Sequence, residues 1–369
     1  MRLGTCIALE LAVAASCAGG VVFGVSAARE AAGEYLEVRP AEAAPVIASV
    51  AAIEIAMPRA TFVEPPPPPA PVEPIVESVY GAPDAELLGP IGVGKVTKIK
   101  LNHGGTSLSL RVEFESGARA SFKPEQIHPQ SDPRREIAAY RLDRLLRIGR
   151  VPPAKSFVVP VADLLAAAEP SHRTYIQTRL ADESLIRKGG ILRGELSWWV
   201  PEIKQAKLGR HRIDEKEGKQ AWIEALQIGA KLTEEERDFV AQISAVILFD
   251  VLIDNPDRWT GANTVTSPDG KTLFFMDNTM SFSRFGFGHH SNLLALRRTQ
   301  VFPKGLVARI RALTAESIAS AVFAGEDDGL APLLDDKELA AILVRRDNML
   351  RYIDQLIAEH GEAQVLAFP

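Results

Sequence analysis

The stretch Phe249-Asp250-Val251-Leu252-Ile253-Asp254-Asn255-Pro256-Asp257-Arg258 carries an apolar run into a loop that holds acids and an Asn-Pro turn. A structural loop seldom needs that composition. A carboxylate at such a place can orient and deprotonate a hydroxyl, and Asp257 is the candidate for this catalytic role. Arg258 follows it and is expected to anchor the loop through a carboxylate. Some twenty residues on, Phe274-Phe275-Met276-Asp277-Asn278 ends an apolar strand with an acid. A carboxylate there can hold a magnesium or manganese ion that bridges phosphates. Alone, an Asp-Asn pair marks a turn; with the Asp257 loop upstream, the metal-ligand reading is the better one. Asn263, between the two, either ligates a metal or starts the next strand.

Phosphoryl transfer needs further parts: backbone amides and an ammonium over the phosphates, in addition to the acids. Gly104-Gly105 lies at a hairpin tip, where missing Cβ atoms would let the backbone approach phosphate oxygens, although most such pairs are simply turns. Lys123 ends the strand-like Ala120-Ser121-Phe122-Lys123, and alternation sets it on the face opposite Phe122. Glu136 follows in the first turn of an amphipathic helix, on the side of Tyr140 and Asp143. A lysine on the strand and a glutamate on the next helix can pair and fix the ammonium against the nucleotide phosphates. Singly, Lys123 reads as a solvated surface charge and Glu136 as a helix-start carboxylate. His289 and His290 point apart on most backbones and are assigned to a surface loop. Trp198 and Trp199 are assigned to core or interlobe packing rather than base stacking.

The elements that must position these groups fall into two regions. Between Lys95 and Lys123 short alternating segments, separated by Asn102-His103-Gly104-Gly105 and Ser116-Gly117, predict a β-meander. From Pro133 to Ile148 the apolar residues recur at helical spacing, and Pro152-Pro153 stops the helix. Beyond it helices dominate, predicted at Gln220–Ala230, Glu234–Ile253, Lys304–Phe323 and Asp336–His360. A hairpin of Asn263–Thr266 and Thr272–Met276 interrupts them around Ser267-Pro268-Asp269-Gly270. The fold class expected is α+β: a two-lobed, protein-kinase-like domain over 85–365, with a small β-rich N-lobe at about 85–160 and a larger, mainly helical C-lobe at about 161–365.

Composition narrows the partners. With 46% hydrophobic and 24% charged residues over 369 positions, a large core is affordable and global disorder is excluded. A net charge of −5 gives no field that would draw the molecule onto nucleic acid. Both cysteines, Cys6 and Cys17, precede the folded body, which therefore has neither a disulfide framework nor a thiolate metal site. Leu11 to Ala28 is free of charge and ends in Val25-Ser26-Ala27, so residues 1–28 read as a signal peptide or membrane anchor. A lipoprotein acylated at Cys17 lacks the usual leucine, and Glu10 is costly in any inserting segment; the cytosolic alternative is a buried N-terminal helix. Residues 29–84 are rich in Ala, Pro and Glu, with prolines unbroken from Pro65 to Pro69, and read as an extended, disordered spacer. Localisation is then exported: periplasmic, envelope-anchored or secreted.

The order and wording of four blocks resemble the secretory-pathway kinases that include the Golgi casein kinase, the glycosaminoglycan xylosylkinase and Four-jointed. The blocks are Gly105-Thr106-Ser107-Leu108 through Phe122-Lys123-Pro124; Glu136 through Arg144 with Val151-Pro152-Pro153; Gly194-Glu195-Leu196 with Pro201; and Phe249-Asp250 through Asp257-Arg258 with Asp277-Asn278. The resemblance covers roughly residues 95 to 300. It implies that Lys123 binds nucleotide, that Glu136 is the helix glutamate behind it, that Asp257 is the catalytic aspartate and that Asp277 is a metal ligand. It further implies ATP and magnesium or manganese as cofactors, and a protein or glycan hydroxyl as acceptor. A pseudokinase that binds nucleotide or a partner without transfer is the alternative. Where active members often carry another acid before the helix, this chain has Ser131 and Asp132.

Overall fold

Local chemistry sets where each element starts and stops. The computed structural model describes residues 79–102, 106–260, 263–323 and 329–369, all within one compact unit, Val72–Pro369. Gly104 and Gly105, both cysteines, the 1–28 segment and the spacer up to 78 lie outside the described residues. After a short helix α1 (Asp84–Leu88), three strands β1 (Val96–Leu101), β2 (Leu110–Phe114) and β3 (Arg119–Pro124) form the expected meander. Their alternation buries Leu110, Val112, Phe114, Ala120 and Phe122 on one face and turns Ser109, Ser121 and Lys123 to the other.

Helix α2 (Pro133–Leu145) begins where the Asp132 side chain accepts the Arg134 amide hydrogen at 3.1 Å, with Pro133 at the first helical position. Next come β4 (Ala154–Pro160), the helices α3 (Val161–Ala166) and α4 (Pro170–Glu183), and β5 (Ile191–Trp198). The sheet order is β1-β2-β3-β5-β4, antiparallel throughout. This corrects the expected lobe boundary: the chain past 160 returns to the sheet, and the sheet-bearing lobe runs to Trp198. Its core packs the apolar sheet face against Leu164, Ile176 and Leu180 of α3 and α4.

The second lobe starts with the short strands β6 (Lys204–Gln205), β7 (Lys207–Leu208) and β8 (His211–Arg212), followed by α5 (Lys216–Ala225) rather than the predicted 220–230. Helix α6 (Glu234–Ile253) matches its expected bounds, opened by a Thr233/Glu236 capping box. It is the lobe's axis, buried from Val246 to Ile253 without a break. The hairpin strands β9 (Val265–Thr266) and β10 (Leu273–Phe274) are shorter than predicted, and Asn263 lies before the first of them. Helix α7 (His290–Arg297) is capped by the His289 ring. The predicted 304–323 helix is two, α8 (Lys304–Arg311) and α9 (Ala315–Phe323), because the Thr314 hydroxyl accepts the Ser317 amide hydrogen at 3.0 Å and starts a new helix. Helix α10 (Asp336–His360) and a short α11 (Glu362–Val365) close the lobe.

The two lobes meet through aromatic contacts. Tyr80, within the range assigned to the spacer, stacks on Phe274 at 5.4 Å and meets Trp198 edge-on at 5.6 Å. Trp198 therefore packs between the lobes. Among the described residues no helix is long and apolar enough to cross a membrane.

Gly194 sets how closely β3 and β5 approach. A Cβ there would fall 2.3 Å from the Lys123 carbonyl oxygen and 2.7 Å from Phe122 Cε2. Gly194→Ala is expected to destabilise the protein by about 1–3 kcal/mol through overpacking, measured by urea unfolding.

Candidate active site

A cleft of about 310 Å³ opens between the polar sheet face and the β9–β10 hairpin. Lys123, Glu136, Glu195, Asn263 and Asp277 line it, with Ser109, Ser121 and Ser197 along the sheet side and Trp198, Trp199 and Val200 at one end. Trp199 also carries the Arg111 guanidinium 5.3 Å above its ring. A hollow of about 610 Å³, outside this cleft, lies at the β1 edge and shares only Asn102 and Trp199 with it. The groups suited to phosphate chemistry are in the smaller cleft.

Lys123 Nζ donates to Asp277 Oδ1 at 2.7 Å, with the lysine side chain 12% and the aspartate 40% exposed. The expected Lys123–Glu136 pair is therefore replaced by Lys123–Asp277, across 154 residues of chain. Burial alone would lower the Lys123 ammonium, but Asp277, Glu136 and Glu195 together raise it above its ordinary value, so it stays charged. Burial likewise pushes the Asp277 carboxyl up, and the ammonium and its hydrogen bond more than offset this and hold it below the usual range. Asp277 has a left-handed backbone (φ 58°), which an aspartate tolerates better than most residues and which turns its side chain out of the strand line.

Glu136 faces Asn278 instead. Its Oε2 accepts the Asn278 backbone N–H at 2.7 Å and its Oε1 accepts Asn278 Nδ2 at 2.9 Å. The Asn278 side-chain oxygen Oδ1 accepts from Arg258 Nη2 at 2.7 Å and from Asn255 Nδ2 at 3.2 Å. One fully buried amide thus joins α2, the Asp257 loop and the segment after β10. Arg258 and Asp250, each 1% exposed, form the ion pair that anchors the loop, and Arg258 also donates to the Met276 carbonyl. Burial raises the Asp250 carboxyl to about 6 against the pull of Arg258.

Asp257 is held from several directions. Its amide donates to Asn255 Oδ1 at 3.1 Å, and its carboxylate accepts from Asn263 Nδ2 at 2.7 Å and from the Thr260 hydroxyl. Asn263 thus bridges Asp257 to the cleft. Asp132 caps α2 and grips Arg134, and Ser131 is buried at the same turn.

Sequence reasoning missed the weight of Asn278, which it read only as half of a turn, and gave Glu195 no role. Glu195 is 1% exposed and directly opposite Lys123 in the β3–β5 register. The signal available was the alternation Leu192, Gly194, Leu196 against Arg193, Glu195, Ser197.

A divalent cation fits the donor set. Asp277 Oδ2 accepts no hydrogen bond among the described residues, and Glu136 is the nearby second carboxylate. Among the described residues no group of three or more His, Cys, Asp or Glu could hold a metal alone. Phosphate oxygens and water would have to complete the shell, as is usual for magnesium.

Sheet-bearing and helical lobes around such a cleft define a two-lobed, kinase-like fold. Solved structures agree: that of the Golgi casein kinase with Mn/ADP bound aligns with a TM-score of 0.60 at 17% identity, covering 77% of this chain and 78% of the other. The structure of hydra Fam20 with sugar aligns with a TM-score of 0.58 at 18% identity, covering 75% and 90%. The family model described as Golgi casein kinase, C-terminal, Fam20 matches residues 83–365, and the chain belongs to that family. Human extracellular serine/threonine protein kinase FAM20C is 22% identical, with 74% of this chain and 54% of that protein covered. Mouse pseudokinase FAM20A is 24% identical, with 80% and 61% covered. The chain thus spans between about half and three fifths of the length of these curated relatives.

Replacing Asn278 by Ala would leave Glu136, Asn255 and Arg258 without a shared buried partner. The expected loss is about 3 kcal/mol or more in unfolding free energy, read by urea denaturation.

Proposed function

We propose that this chain is an ATP-dependent kinase that transfers the γ-phosphoryl group to a hydroxyl of a protein Ser/Thr or a glycan. The observation that carries the reading is the meeting, in one cleft, of the Lys123 ammonium with Asp277 and Glu136, and its link through Asn263 to Asp257. Kinship supports it, since FAM20C is named a kinase and a related structure holds Mn/ADP.

In this reading Lys123 holds the nucleotide phosphates, and Glu136 and Asp277, with Asn263 the further candidate, hold the magnesium or manganese ion. When bound, that ion neutralises charge on the phosphates. Gly104-Gly105, outside the described residues, remains the sequence's candidate for amides that contact the phosphates. Asp257 accepts the acceptor hydroxyl's proton as its oxygen bonds to phosphorus and the bond to the ADP leaving oxygen breaks. Arg258, through Asp250 and Asn278, keeps the loop in register for this step. Residues 1–28 direct export to the periplasm, envelope or exterior, as signal peptide or membrane anchor, 29–84 serve as spacer, and nucleic acid is no partner. The word extracellular in the FAM20C name favours export.

The kinship with FAM20A favours a second reading, a pseudokinase that binds nucleotide or a partner without transfer. Purified protein with ATP and manganese separates the two. Wild type is expected to place labelled phosphate on a mixed set of casein-like and glycan acceptors, and Asp257→Ala to cut the rate by about 10²–10⁴-fold while nucleotide still raises the melting temperature. Nucleotide protection without transfer by wild type would establish the second reading.

The Asp250 anchor gives a pH dependence. As pH falls through about 6, Asp250 takes up a proton and the charge holding Arg258 is lost, so transfer should decline. Its folded value lies above the ordinary 3.8, so the folded state gains protons between about pH 4 and 6 and acid does not unfold the protein through this group. A pH–rate profile with melting at each pH checks both. Asp250→Asn should lower the plateau and flatten the acid limb.

A further inference from the structure

Among the described residues the Lys123 ammonium has one hydrogen-bond partner, Asp277 Oδ1, and Asp277 is the residue that the proposed function gives to the cation. A cation taken up at the Asp277 carboxylate draws on the charge that now balances the ammonium, and a largely buried ammonium left without a full counter-charge is costly. Two other carboxylates share the cleft with it. Glu136 has both oxygens engaged by Asn278, one by the backbone N–H and one by the side-chain amide. Glu195 is engaged only at Oε2, by the Ser197 hydroxyl at 2.8 Å, and its Oε1 accepts nothing among the described residues.

Geometry also favours Glu195. In the antiparallel register Glu195 is paired with Lys123, so the two side chains leave the sheet on the same face. The spacing is fixed by Gly194, whose missing Cβ allows β5 to lie against the Lys123 carbonyl. A carboxylate with a single hydrogen bond in so buried a place is itself short of a partner. Burial, reinforced by the negative charge of Glu136, raises its carboxyl well above the ordinary range, while Lys123 pulls the other way.

We infer that Glu195 is a positioning residue that receives the Lys123 ammonium when Asp277 turns to a cation, and so keeps the lysine aimed at the nucleotide phosphates. This rests on the proposed kinase function and adds to it that the lysine is oriented from the neighbouring strand, within the sheet. Glu136, tied to Asn278 and given to the ion, is then not needed to orient Lys123, whose bearing does not depend on how α2 sits. Ser197 holds Oε2 of Glu195, and Oε1 is the oxygen left for the ammonium.

The test needs neither nucleotide nor transfer, so its failure is separate from failure of the kinase reading. Asp277→Asn removes the present counter-charge in place of a cation. In that background, acylation of Lys123 by an acetyl N-hydroxysuccinimide ester is followed at one fixed, mildly alkaline pH by peptide mass spectrometry. Adding Glu195→Gln is expected to raise the labelling rate at least about threefold. Adding Glu136→Gln, which removes the same charge from the same cleft, is expected to raise it clearly less. Glu195→Asp should restore most of the protection. Gln removes a buried charge at nearly constant shape, and Glu195→Ser, with a far smaller side chain, is run beside it so that the comparison survives if one variant misfolds. An effect of Glu136→Gln equal to or larger than that of Glu195→Gln, or no effect of Glu195 substitution, overturns the assignment.

Discussion

The side-chain amide of Asn278 is the constraint on which the site depends. It donates to Glu136 on α2 and to the Phe275 carbonyl, and it accepts from Arg258 and Asn255 on the loop that follows α6. A buried amide with all its hydrogen bonds made has one orientation, because each donor and acceptor must find its partner where water cannot substitute. That orientation fixes three chain segments relative to one another. Asp277, one residue earlier, is then carried to the cleft by a left-handed backbone, and Asn255 closes the turn by donating to the Asp277 carbonyl oxygen at 3.1 Å.

Two ion pairs and one hydrogen-bonded acid surround it. Asp250 answers Arg258 and Asp277 answers Lys123, while Asp254, in the left-handed turn that ends α6, accepts from the His289 amide at 2.6 Å and from Asn292. Of the four left-handed non-glycine residues among the described ones, three, Asp254, Asp277 and Phe282, lie along this path. Backbone strain of this kind persists only where the surroundings over-determine it. Here the loop is tied to α6 by Asp250 and to α7 by Asp254, which supplies that determination.

Much of the fold could be read from the sequence where local signals were strong. Helices α6 and α10 kept their expected bounds because each opens with a capping box, Thr233 with Glu236 and Asp335 with Glu338, ahead of a long periodic run. The meander was legible from its turns. Strand β5 was not, because its cleft-facing residues, Glu195 and Ser197, are polar inside a lobe read as helical. The break within 304–323 escaped because one Thr314 hydroxyl decides it. At the site, residue types were legible and partners were not. Lys123 meets Asp277 rather than Glu136 because Asn278 had already engaged the glutamate, a consequence of three segments meeting in space that no local pattern encodes.

Lys123, Glu136 and Asp277 are expected to converge on one triphosphate and its cation. A crystal structure of the protein grown with manganese and ADP, with anomalous data collected for the metal, tests it most directly. The expected result is an anomalous peak ligated by the Asp277 carboxylate and by phosphate oxygens, with Lys123 Nζ at hydrogen-bond distance from the same phosphates. Nucleotide bound away from this cleft, or a peak with no Asp277 oxygen in its coordination shell, would contradict it.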